Sequence, residues 1–132
     1  MPHSAPVLAR SRLVDVRETL LALHKALLDS ERTAYELVHG PVGPPGAFLQ
    51  LLINDAWFAW LRPVTTLLVL IDETLAAKKP VAEEKDFERL LADTRALFSP
   101  SRDENGFWKR YSAVKDRDPG VELVHENLQR QL

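Results

Sequence analysis

Cysteine is absent from the 132 residues, which removes disulfide frameworks, thiolate zinc sites, iron-sulfur centres and a cysteine nucleophile together. Glycine is scarce, with five residues, and none of them builds a phosphate-cradling loop before a helix or a Gly-x-Ser-x-Gly elbow. An excess of one charge is also missing: 17 basic against 19 acidic side chains give a formal net charge of -2. That balance supplies no field to gather nucleic acid or an anionic membrane. Long uncharged runs are lacking too, because Asp55, Arg62, Asp72 and Glu73 divide the most apolar stretch, Ala47 to Ala77, into pieces shorter than the ~18 residues a membrane span needs. No apolar targeting run precedes Arg10 and Arg12, so a cytoplasmic location is expected.

What is present is a 45% hydrophobic composition, enough for one buried core. The spacing of its apolar residues follows 3.6 rather than 2, which predicts an all-α bundle of four major helices and one short one. Residues 1-8, with Pro2 and Pro6, read as a disordered N-terminal segment, and 9-132 as a single helical domain. Leu13, Val16, Leu20, Leu23, Leu27, Ala34 and Val38 form one stripe on a first helix from about Ala9 to His39, stopped by Gly40 and Pro41. A stiff loop over Gly40 to Gly46 follows. The second helix, about Ala47 to Ala77, is apolar nearly all round and is expected to be central, with a kink near Trp60 from Pro63. A third helix spans about Val81 to Phe98, behind Pro80 and an acidic first turn. After the polar connection Ser99 to Gly106 come a short helix bearing Phe107, Trp108, Tyr111 and Val114, and a last helix started by Asp118-Pro119.

Chemistry is less legible. Glu-Leu-Val-His occurs at Glu36 to His39 and again at Glu122 to His125, the spacing with which four-helix bundles hold two metal ions. Turning 100 degrees per residue, however, sends Glu36 and Glu122 outward, away from their apolar stripes. No metal site and no cofactor is therefore expected. The same projection turns His24, Glu31, Asp72 and His125 inward, a set that could serve a small ligand, although His24 and Glu31 stand about 10 Å apart along their helix. The most distinctive segment is Trp57-Phe-Ala-Trp-Leu-Arg-Pro63. Its two indoles and guanidinium make Trp57, Trp60 and Arg62 the candidate partner-binding residues. A guanidinium in so apolar a segment is expected to bond to a carboxylate, with Asp55, Glu73 and Glu31 the candidates.

Arg32-Thr-Ala-Tyr-Glu36, Gly40-Pro-Val42, Phe48-Leu-Gln-Leu-Leu52, Asp55, Trp57 to Pro63 and Ile71-Asp-Glu73 resemble a group of small bacterial hypothetical proteins of unknown function. The resemblance implies a bacterial cytoplasmic protein and assigns no catalytic residue. Two functional expectations stand together. One is a non-enzymatic interaction module, a homodimer or a receptor for a partner helix, working through the aromatic second helix. The other is a bundle that binds a small ligand or metal through His24, Glu31, Asp72 and His125. Neither involves nucleic acid or a membrane.

Overall fold

The structure is a computed structural model that describes residues 5-100 and 106-132, with side chains from Leu8 onward. Among the described residues six α-helices and one 3-10 helix pack around a shared core: α1 (Ala5–His39), α2 (Pro45–Asn54), the 3-10 helix (Ala56–Leu61), α3 (Arg62–Ala76), α4 (Glu84–Leu97), α5 (Phe107–Arg117) and α6 (Pro119–Gln131). The all-α reading holds. A lone antiparallel bridge joins Lys78 to Val81, and no strand occurs among the described residues. No described helix is long and apolar enough to cross a membrane. The expectation of a disordered segment over 1-8 lies partly outside the described residues, which begin with helical backbone at Ala5, four residues before the start read from the stripe. Residues 101-105 of the polar connection are likewise outside them.

The central element is α1, not the second helix. It packs against α3, α4, α5 and α6, and Leu13, Val16, Leu20, Leu23 and Leu27 are all fully buried, so the stripe is the axis of the core. The stripe ends earlier than its spacing predicts. Ala34 is only half-buried, and Val38 is 66% exposed beside Leu37 at 84%. Gly40 then closes the helix in the left-handed region at φ 83, its N–H bonding to Glu36 O at 2.8 Å, a conformation open to glycine at little cost.

Where apolar density predicts one kinked helix, three segments stand. α2 stops at Asn54, and Asp55 adopts extended backbone while its carboxylate accepts the Trp57 N–H at 2.8 Å. This cap starts the 3-10 helix. The interruption thus falls upstream of Pro63, which sits in the first turn of α3, where a missing N–H breaks no helical bond. The even apolar distribution predicts burial on every side. Instead Phe58, Leu61, Val64, Leu67, Leu68 and Ile71 face the core, and Ile53, Val69 and Leu70 face out.

The remaining helices follow their signals closely. α4 begins at Glu84, three residues later than expected, behind a reciprocal cap in which the Glu83 N–H donates to Asp86 Oδ2 at 2.8 Å. α6 begins where Asp118 accepts the N–H groups of Gly120 and Val121 at 2.9 and 3.3 Å. Phe87, Leu90, Leu91, Phe98, Phe107, Tyr111, Val114, Val121 and Leu128 complete the core.

Candidate functional site

The 3-10 helix determines what the aromatic segment can do. With about three residues per turn, Trp57 and Trp60 come to the same side, while Phe58 and Leu61 are inserted into the core. Both indoles therefore turn toward the last third of α1, where the buried stripe has given out. Tyr35 meets Trp57 edge-on at 5.5 Å and Phe58 at 5.5 Å, and His39 lies against Tyr35 at 4.4 Å. Across from them α5 runs past, and the three elements leave a cleft of about 450 Å³.

Its walls are Ala34, Leu37 and Val38 from α1, Trp57 and Trp60 from the 3-10 helix, and Arg110, Ala113, Val114 and Arg117 from α5, with Glu31 among the lining residues. Glu31 is 6% exposed, so its charge needs partners. It has two: Arg117 Nη2 donates to Oε1 at 2.7 Å and Trp60 Nε1 donates to Oε2 at 3.1 Å. One carboxylate thereby fixes an indole from the 3-10 helix and a guanidinium from α5, side chains 29 and 86 positions away. The Arg117 side chain remains 48% exposed, and Arg110 is exposed with no hydrogen bond or ion pair among the described residues. The Trp57 Nε1–H is buried and lacks an acceptor there.

The sequence-derived candidates divide. Trp57 and Trp60 share the cleft, but Arg62 does not. It is exposed, donates to Ile53 O at 3.1 Å, and borders a separate depression with Pro63, Thr66 and Leu70. The expected carboxylate partner is replaced by a backbone carbonyl because the guanidinium lies at the surface, where no charge must be neutralised. Asp55, one proposed partner, is engaged as the Trp57 cap. Of the inward set, Glu31 is in the cleft while the other three have separate partners. His24 Nε2 pairs with Thr65 Oγ1 at 3.3 Å, His125 Nδ1 with Tyr111 OH at 2.6 Å, and Asp72 with Arg17. Asp72 is exposed, contrary to its expected inward projection.

Local environments tune these groups. Burial pulls His24 below its ordinary value. Burial and then the Lys115 ammonium pull His125 down, outweighing Glu122 and Glu126, and burial pushes the Tyr111 phenol up. The outward projection of the two tetrapeptide glutamates needs amendment: Glu36 Oε2 accepts the Val42 N–H at 2.9 Å, tying down the loop after α1, and Glu122 pairs with Lys115 at 3.2 Å. Among the described residues no group of three or more His, Asp or Glu is arranged to hold a metal ion.

Arg110 and Arg117 are the site residues that sequence reading missed. Their signal was present, since a seven-residue spacing puts both on one side of α5 beside its buried stripe. No protein family model matches the chain, and comparison with curated proteins and with solved structures gives no match either. The resemblance over Arg32 to Glu73 thus has no identified family behind it.

Proposed function

We propose that this chain is a non-enzymatic helical binding module that holds a small amphipathic ligand in the cleft between the end of α1, the 3-10 helix and α5. The observation that carries the reading is the cleft's construction: about 450 Å³ of concave space, within the size range of small-molecule sites, lined by apolar walls and a few fixed polar groups. Glu31, itself among the lining residues, holds Trp60 and Arg117 together. The Trp57 and Trp60 indoles are half-buried in the cleft wall, the kind of aromatic lining that small-molecule sites use. A fragment screen read by the indole N–H resonances of the three tryptophans tests the proposal. Ligands should move Trp57 and Trp60, leave Trp108 in place, and lose affinity in Trp60→Ala; binding unaffected by that substitution would remove the cleft from the account.

A second reading, self-association, is supported by a different surface. Val69 and Leu70 are 50% and 46% exposed on α3, and Leu70 borders the depression that contains Arg62. Adjacent exposed apolar side chains of this kind mark association faces when they extend into a patch. Sedimentation velocity would separate a wild-type dimer from a Leu70→Glu monomer. A wild-type chain that stays monomeric at high concentration would end this reading.

A further inference from the structure

On the reading that the cleft is a ligand site, we infer that its ligand is an organic acid, with a monoanionic carboxylate received by Arg110 and Arg117 and an apolar body lying against Trp57 and Trp60. The charge inventory points there. The lining contains two guanidiniums and one carboxylate, so one positive charge is left without a counterpart among the lining residues. Glu31 is already engaged by Arg117 and Trp60, which leaves Arg110 as the uncommitted cation.

Geometry agrees with charge. Arg110 and Arg117 are two turns apart on one side of α5, about 10 Å along the axis, and their long side chains flank the small Ala113 between them. Arg117 gives one bond to Glu31 and retains most of its five donors. With its side chain 48% exposed, those donors can reach a second carboxylate, which guanidinium forks match in plane. A dianion fits less well. It would exceed the single unmatched charge and face the buried Glu31 carboxylate nearby. Asp29 and Asp118 lie in an adjoining depression that shares Ala34, Leu37 and Arg117 with the cleft. Asp118 caps α6 there, and neither Asp29 nor Asp118 is among the residues that line the cleft beside Arg110. The apolar part of the ligand follows from the walls, where indole faces and the exposed Leu37 and Val38 offer contact area with few hydrogen-bonding demands.

Three probes of one shape test the head group: 3-phenylpropionate, 3-phenylpropan-1-ol and 3-phenylpropylamine, titrated at millimolar concentration into wild-type protein and Arg110→Gln. The substitution removes an exposed side chain that has no hydrogen bond or ion pair among the described residues, and an unchanged melting temperature verifies that the fold is intact. The acid should shift the Trp57 and Trp60 indole resonances and bind about tenfold tighter than the alcohol, as expected for one charge-assisted contact. Arg110→Gln should remove most of the acid's advantage over the alcohol, since the remaining guanidinium, Arg117, is paired with Glu31. Equal binding of acid and alcohol with the indoles shifted would overturn the carboxylate assignment and leave the cleft standing, and so would preference for the amine. Indoles unmoved by all three compounds would overturn the binding cleft itself, and the carboxylate with it.

Discussion

Glu31 is the residue on which the site depends most. Glu31→Ala would leave Trp60 Nε1–H without its acceptor and Arg117 without its ion pair. Because Arg117 is half-exposed and can regain water, the expected loss is about 2 to 3 kcal/mol, less than the full cost of orphaning a buried charge. Glu31→Gln, which retains an acceptor, should lose less, and Arg62→Ala about 1 kcal/mol or less, since that side chain gives an exposed bond to a carbonyl. Urea melts of the three variants check the order. The histidines set a pH dependence. His24 and His125 are both held below their ordinary value of 6.5 in the folded chain, so the unfolded chain takes up protons first. Their contribution to stability is complete above about pH 6.5 and is lost as pH falls through the lower native values. Melts from about pH 7.5 down to about pH 5 should show that decline, and the double variant His24→Asn/His125→Asn should flatten it. Helical projection was sufficient to turn Glu31 inward, because that depends only on position around α1. Its partner was not legible, since Arg117 lies 86 positions away and only tertiary packing brings it near.

At the scale of elements, the informative difference is the division of the expected second helix. The apolar residues on either side, Leu51 to Ile53 and Ala56 to Leu61, conceal the boundary, yet Asn54-Asp55 between them contains the local chemistry for it, a short acceptor ahead of a new helical turn. Periodicity describes which residues could share a face and is silent about where one axis gives way to another. The consequence reaches the cleft, because the Asp55 cap starts the 3-10 helix that sends both indoles to one side. Asp55→Ala should therefore cost about 1 kcal/mol, the usual scale for a lost cap, and should also move the Trp57 and Trp60 indole resonances. Asp118→Ala, which removes the cap of α6, provides the comparison: similar destabilisation with the Trp57 resonance in place. Equal indole shifts in both variants would show that Asp55 has no special hold on the aromatic wall.

The molecule as a whole is arranged around α1. Its stripe was readable from spacing through Leu27, where neighbouring helices cover it, and failed at Val38, where none does; the number and reach of the covering helices are not contained in the period of α1. Hydrogen exchange should follow the same division, with amides from Leu13 to Leu27 most protected and those from Leu37 to His39 exchanging faster than these. Uniform protection along α1 would contradict it. The association of α1 with α6 also has a consequence for synthesis. α1 leaves the ribosome with five fully buried positions of the folded chain still uncovered, and Val121 and Leu128, which help enclose the core around it, are made only after α5. Chains halted before Pro119 should then be held by chaperones or clipped by proteases at α1, while chains extended past Leu128 resist both.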